Sequence, residues 1–351
     1  MIYPEFLKSD GCLGFPAPSF GASIEPYKTR LTKAIDLLGK EGFHTVPGTD
    51  AFRGDGVGIS NTPENCGKEL TAMYCDGDIN AYISCGGGEL MCEIIDYIDF
   101  ERIKKATPKW FMGYSDNTNF TFLLNTLCDT ASIYGPCAGD FCHEERPQYL
   151  EDCIQLLKGK KLEFKSYSLY ETQSLVTEDK PLEPFNPTEE RVHALYYKGE
   201  FVKDARTTDM TFDMSGRIIG GCMDCLVTLL GTKYDKVKEF NKKYSDDGII
   251  WLLESCDLNV FAIRRAMWQM EHAGWFEKTK GFIFGRPLNG QQMLNLDKYE
   301  AVLEMARKHN VPVVMDADFG HIDPMMPVMM GSVANVHVSK NDMWISYEMK
   351  E

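Results

Sequence analysis

The chain has 351 residues, 44% hydrophobic and 25% charged, a mixture that buries a core and leaves little room for wholesale disorder. Its 37 Lys and Arg against 52 Asp and Glu give a net charge of −15, a field that repels a phosphate backbone and excludes nucleic acid as the main partner. The N-terminal residues show no charged stretch followed by an apolar one. The longest strongly apolar runs, such as 249–253, are too short to span a bilayer, so a soluble cytoplasmic protein with no membrane partner is expected. Twelve cysteines are scattered through apolar stretches. Size and the missing export signal favour reduced thiols over a disulfide framework.

Taken in chain order, residues 27–39 read as a helix with Leu31, Ala34, Ile35, Leu37 and Leu38 on one face, stopped by Gly42. A short buried strand at 79–84 runs into Cys85-Gly86-Gly87-Gly88, and 90–98 returns to a helical period. Residues 109–113 form the next strand and 117–127 the next helix. Strand and helix alternating through short connections mean a parallel sheet, with ligand chemistry at its carboxyl edge. Composition then shifts. Residues 172–190 are polar, with Pro181, Pro184 and Pro187, and read as a linker or an active-site loop. A second alternation follows, with strands at 217–220, 249–253, 281–285 and 311–315 and helices at 222–230, 258–272 and 296–309. Segments 333–338 and 343–347 close the chain as paired strands. The expected division is a first α/β domain over 1–165, a linker over 166–209 and a second α/β domain over 210–351.

The sharpest local feature is Gly113-Tyr114-Ser115-Asp116-Asn117-Thr118, where a strand enters a small-residue turn and then a helix. A serine at that corner stands above the sheet edge, beside free N–H groups able to hold an oxyanion. Equally, Ser115 or Asp116 can simply cap the helix. Asn117 replaces the second glycine of the hydrolase elbow G-x-S-x-G. The run Gly86-Gly87-Gly88 lets backbone N–H groups approach a ligand, or merely makes a tight turn; it matches no nucleotide fingerprint. A serine nucleophile needs a base and the base an orienting carboxylate. Glu254 ends a buried strand, and His321 lies in a Gly- and Pro-containing loop after another. Cys222-Met-Asp-Cys225 has no second pair to make a zinc site, and Cys137, Cys142 and His143 form only a loose cluster. No metal is expected.

Glycines after an early strand, Gly-Tyr-Ser-Asp-x-Thr, a glutamate ending a later strand and Gly320-His321 near the end occur in one order. With Ala17-Pro18-Ser19, Gly220-Gly221 and Leu229-Leu-Gly-Thr232, that order resembles the LD-carboxypeptidase family of serine peptidases over nearly the whole chain. The resemblance implies an N-terminal Rossmann-like parallel-sheet domain, a smaller C-terminal α/β domain and an active site between them, commonly in a homodimer. It implies Ser115 as nucleophile, His321 as general base and then acid, and Glu254 as the orienting carboxylate. Backbone N–H groups of Asp116, Gly86 and Gly87 would form the oxyanion hole, and no cofactor is implied. The substrate would be a peptide with a terminal carboxylate, such as a recycled murein tetrapeptide cut at its LD bond. A peptidyl- or aminoacyl-nucleotide antibiotic of the microcin-C type is the alternative, and a non-catalytic peptide binder of the same fold the third reading. Cutting beside a carboxylate calls for a fixed cation, for which Arg191, Arg206 and Arg286 are the candidates. The sequence departs from the family's usual pattern at Cys85-Gly86-Gly87-Gly88-Glu89 and at Cys222. The long 172–206 segment resembles that of the microcin-type branch, but no tryptophan lies between Trp110 and Trp251 to stack on a nucleobase.

Overall fold

A computed structural model describes all 351 residues, and the chain divides into two compact units. One comprises Met1–Lys161 with Gln173–Asn186 and the terminal Glu351; the other comprises Leu162–Thr172 and Pro187–Lys350. They are nearly equal in length, so the C-terminal unit is not the smaller one.

In the first unit the elements are β1 (Cys12–Phe15), α1 (Tyr27–Lys40), β2 (His44–Pro47), α2 (Pro63–Tyr74), β3 (Ala81–Ile83), α3 (Phe100–Lys105), β4 (Trp110–Gly113), α4 (Thr118–Thr126), β5 (Ser132–Tyr134) and α5 (Gln148–Leu157). Strands β2, β1, β3, β4 and β5 lie side by side in that order, every pair parallel. Parallel strands are buried on both faces, and β3, β4 and β5 are buried at every position. Phe111 of β4 meets Phe120 of α4 edge-on at 4.8 Å, which seats the helix after the Ser115 turn against the strand before it. Residues 90–98, expected as an α-helix, form a 3₁₀ helix over Met91–Tyr97. That run has only seven residues before Asp99 caps the next helix through the Arg102 N–H. β1, β2, β5, α2, α3 and α5 were not picked out from the sequence. The missed strands have only three or four residues, too few for alternation to show.

The second unit holds β6 (Glu163–Lys165), β7 (Leu169–Tyr170), β8 (Glu189–Glu190), β9 (Ala194–Tyr197), β10 (Glu200–Val202), β11 (Thr211–Cys222), α6 (Met223–Leu229), α7 (Val237–Lys243), β12 (Ile249–Glu254), α8 (Val260–His272), β13 (Thr279–Gly285), α9 (Glu300–His309), β14 (Val313–Ala317), β15 (Val328–Met330), β16 (Val333–Ser339) and β17 (Asp342–Glu348). Its main sheet has nine strands in the order β10-β9-β14-β13-β12-β11-β16-β17-β6. The four strands β11 to β14 are parallel, and their neighbours on both sides run antiparallel. The closing segments form the expected pair, antiparallel in register from Val333↔Glu348 to Ser339↔Asp342. Residues 189–202, read as linker, instead supply β8 and a hairpin at the sheet edge. No helix is long and apolar enough to cross a membrane.

Beneath the second sheet Trp251 stacks on Trp275 at 5.6 Å, and Arg217 lies fully buried. Its Nε donates to Asp247 (2.8 Å), Nη1 to the Gly331 carbonyl (3.0 Å) and Nη2 to the Lys350 carbonyl (2.8 Å). The guanidinium also lies 3.8 Å from the centre of the Tyr244 ring. Burying this cation is tolerable only because its donors are used. Replacing it by methionine removes one of the two cations, with Lys350, that hold the nearly buried Asp247, and takes a donor from the Gly331 and Lys350 carbonyls. Arg217→Met should therefore cost about 3–5 kcal/mol in urea unfolding; a loss below about 1 kcal/mol would show that the clamp is not a structural anchor.

Candidate functional site

The strand β4 delivers Ser115 in a left-handed backbone conformation, with φ of +59°. A side chain with a Cβ rarely adopts this, and a strained serine at a strand-to-helix corner is the geometry of an exposed nucleophile. Ser115 is half-buried, and its N–H donates to the Tyr134 hydroxyl at 3.3 Å. Neither Ser115 nor Asp116 is the cap the simpler reading allowed: Tyr114 precedes the 3₁₀ turn Ser115–Asn117, and Asn117 precedes α4. Asp116 is instead a buried anchor. Its carboxylate accepts from the Ser19 hydroxyl (2.5 Å), the Met91 N–H (2.9 Å) and Asn119 Nδ2 (3.0 Å).

The glycine run packs against this corner. A Cβ on Gly87 would sit 3.2 Å from Ser115 Cβ, and one on Gly88 would collide with Ser19 Oγ at 2.1 Å. The Gly86 carbonyl accepts from Asn117 Nδ2 (2.8 Å) and Ser84 Oγ (3.1 Å), and the Gly87 carbonyl accepts from the Phe20 N–H (2.8 Å). In a trans peptide the N–H points opposite to the carbonyl, so these bonds aim the Gly87 and Gly88 amides away from them. Asn117, where the hydrolase elbow has its second glycine, thus orients the turn with its side chain. Sequence reasoning missed Tyr134 altogether and gave no role to Ser19 or Asn117, although both lie in segments that carried the resemblance.

In the second unit Glu254 ends β12 with 1% of its surface exposed, beside Cys222 of β11. Two glycines make room for it. A Cβ at Gly285 would stand 2.9 Å from Glu254 Cβ and 2.2 Å from the Phe319 carbonyl. At Gly320, φ is +99° and a Cβ would stand 2.7 Å from Glu254 Oε2. That close approach brings His321 onto the carboxylate, with Nδ1 2.9 Å from Glu254 Oε2. Nδ1–H facing a carboxylate leaves Nε2 as the basic end of the ring. Burial opposes a charged imidazole, but the Glu254 charge and the ring's hydrogen bonds to Cys256 and Glu254 outweigh it. His321 is therefore held well above the ordinary imidazole range. Cys256, two residues after Glu254, went unremarked in the sequence because nothing there ties it to His321.

The three candidate arginines part ways. Arg191 is buried and committed to Asp342 (2.7 Å), the Tyr167 carbonyl (2.6 Å) and His193 Nδ1 (3.3 Å). Arg206 is exposed and paired with Asp204 (2.7 Å) and Glu190 (3.3 Å). Both serve carboxylates of the chain itself. Arg286 Nη2 meets Asp318 at 2.5 Å, while its Nη1 is buried without a hydrogen-bond partner. Cys222 and Cys225 are buried and form no disulfide; their mutual hydrogen bond and burial push the Cys222 thiol well above its usual range, away from reactivity. No three His, Cys, Asp or Glu side chains are grouped to hold a metal ion.

The LD-carboxypeptidase N-terminal domain matches residues 13–135, which include Ser115, and the LD-carboxypeptidase C-terminal domain matches 215–336, which include Glu254 and His321. The microcin C7 self-immunity protein MccF of Escherichia coli is 24% identical over 354 aligned positions, covering 96% of this chain and 94% of that one. A structure of MccF with aspartyl sulfamoyl adenosine superposes with a TM-score of 0.78 at 19% identity over the full length of both. An MccF-like protein of Bacillus anthracis strain Ames gives 0.82 at 22% identity, covering 99% of this chain and 100% of that one. Muramoyltetrapeptide carboxypeptidase of Oxalobacter formigenes gives 0.68 at 18% identity, covering 96% and 98%. These structural likenesses show a shared two-domain α/β fold. With both of its domains matched over most of the chain, the protein belongs to the LD-carboxypeptidase family of serine-peptidase-like proteins.

Proposed function

We propose that the protein is a serine carboxypeptidase that hydrolyses an amide bond beside a free carboxylate, with Ser115, His321 and Glu254 as its triad. The observation that carries this reading is the His321–Glu254 pair: an imidazole whose Nδ1 is fixed by an almost fully buried carboxylate. Such a pair costs desolvation and is the orienting half of a nucleophilic site. The left-handed Ser115 against Gly87 supports the other half.

In this mechanism Ser115 Oγ attacks the scissile carbonyl while His321 Nε2 takes its proton. The Gly86, Gly87 and Asp116 amides receive the oxyanion. Collapse breaks the C–N bond, His321 returns the proton to the leaving amine, and an acyl-serine remains. Water, deprotonated by the same imidazole, releases the acid and regenerates Ser115. Glu254 holds the ring and stabilises the imidazolium formed in both halves.

The substrate we favour is a recycled cell-wall peptide, a murein tetrapeptide cut at its LD bond by a cytoplasmic homodimer. A peptidyl- or aminoacyl-nucleotide substrate is the second reading. It draws on the relative solved with aspartyl sulfamoyl adenosine, whose likeness in fold exceeds that of the muramoyltetrapeptide enzyme. Mass spectrometry of products from muropeptides and aminoacyl sulfamoyl adenosines separates the two. If the chain only binds peptides, neither set is cleaved and a fluorophosphonate leaves Ser115 unlabelled.

Ser115→Ala should lower kcat by at least about 10³-fold with an unchanged melting temperature, since the nucleophile acts only in the transition state. Retention of a tenth of the wild-type rate by a folded variant would sink the triad.

The pH profile gives an independent check. A base must be neutral to accept a proton, and Glu254 holds His321 protonated to higher pH than a free imidazole. The acidic limb of kcat/KM should thus lie above about pH 6.5, the ordinary histidine value, with activity rising as pH rises. Glu254→Gln removes the charge, so the limb should move to lower pH while the plateau falls by about 10⁴-fold. A limb that stays in place would dissociate Glu254 from the titrating group.

A further inference from the structure

A cavity of about 430 Å³ opens at the carboxyl edge of the second sheet, lined in part by Tyr170, Arg286, Leu288 and Ile322. Ile322 directly follows His321, so the cavity adjoins the imidazole–carboxylate pair along the chain. Two acids line it, Glu190 and Asp316, a third, Asp318, stands behind Arg286, and each is already paired. Asp316 is held by Lys298 and by the Tyr299 hydroxyl (2.9 Å), Glu190 faces Arg206 at 3.3 Å, and Asp318 meets Arg286 at 2.5 Å.

Arg286 has donors to spare. The residue is 4% exposed, its guanidinium lies 4.4 Å from the centre of the Tyr170 ring, and Nη1 has no partner. A buried charged donor left unpaired is costly, and such groups in native proteins call for an explanation. Burial also pushes the Asp318 carboxyl above its usual range, against the opposing pull of Arg286. Leu288, which also lines the cavity, leaves 47% of its surface open. A guanidinium over an aromatic ring, spare N–H groups and an aliphatic wall together suit a carboxylate carried on an apolar stem.

We propose that this cavity is a substrate subsite that takes a carboxylate on the Arg286 guanidinium, with Tyr170, Leu288 and Ile322 against the adjoining aliphatic part. The assignment rests on the peptide-hydrolase reading above and specifies which chemical group that substrate presents here. The competing account is a water molecule linking Arg286 Nη1 to His193 Nε2, which is also buried and unpaired.

The test is calorimetric binding to the Ser115→Ala protein, which does not consume its ligand. The probes are the peptide alanyl-γ-glutamyl-lysyl-D-alanine, its C-terminal amide, and the form amidated at the glutamyl carboxylate. One of the two amides should bind at least about 10-fold more weakly than the free acid, and which one does identifies the carboxylate read. Arg286→Met should bind the free acid as weakly as that amide, Arg286→Lys should restore part of the difference, and Leu288→Trp should weaken acid and amides alike. If none of the three peptides binds, or if Arg286→Met keeps the acid preference, the subsite is overturned. Should Arg286→Met not fold, unchanged affinity of Leu288→Trp for the free acid overturns it instead. An acid preference unaffected by Arg286→Lys, with a water between Arg286 and His193 in a crystal structure, favours the competing account and also rejects the subsite. Hydrolysis by the wild-type protein without any Arg286 dependence removes the subsite alone; Arg286-dependent binding without hydrolysis removes the catalytic reading alone.

Discussion

A carboxylate buried at the end of a parallel strand is the constraint around which the second unit is arranged. Glu254 has almost no contact with solvent, so its charge survives only with close, well-aimed partners. Backbone reaches it from two directions, and at both the chain has glycine. Any Cβ at Gly285 or Gly320 would occupy space the glutamate already fills. Shape and charge therefore solve one problem together: the glycines that admit the carboxylate also bring the His321 loop to it. The resulting pair raises the basicity of the ring while fixing which nitrogen stays available.

The first unit reaches a comparable end by backbone means. Ser115 sits in a conformation that costs of order 1–3 kcal/mol for a non-glycine residue. That cost is offset by the buried anchor immediately after it, where Asp116 gathers donors from Ser19, Met91 and Asn119. Asn117 ties the same corner to the glycine turn through the Gly86 carbonyl. Rigidity at such a corner serves catalysis, because amides already aimed at a developing charge need no reorganisation.

Two buried arginines in the second unit show how a site differs from a scaffold. Arg217 uses donors at all three nitrogens on a carboxylate and two carbonyls, and its flat face covers Tyr244. Arg286 has a similar burial and a similar aromatic partner, yet leaves a nitrogen without an acceptor. Folding accounts for the first completely. For the second it leaves a remainder, and a remainder of that kind beside a histidine–carboxylate pair is where ligand recognition is to be sought.

Much of this was legible in the order of the residues. Strands buried on both faces, such as 249–253 and 281–285, declare themselves as unbroken apolar runs, and glycine turns after strands mark the ligand edge. The Gly-Tyr-Ser-Asp-x-Thr segment and Gly320-His321 carried the family, because those residue types recur where chemistry needs a sharp turn or a close approach. Shorter elements escaped, since three or four residues show no period, and the strands within 189–202 were hidden by a polar composition that also suits a loop. Charge pairing was largely beyond reach. Only Arg206 has its partner close by, Asp204 two positions before it; the partners of Arg191 and Arg286 lie 151 and 32 positions away. The sequence by itself determined the fold class and the family, because backbone geometry and side-chain chemistry act locally. Only tertiary structure decided that His321 meets Glu254 and that Arg286 keeps a spare donor, because burial and pairing depend on which distant segments share a space.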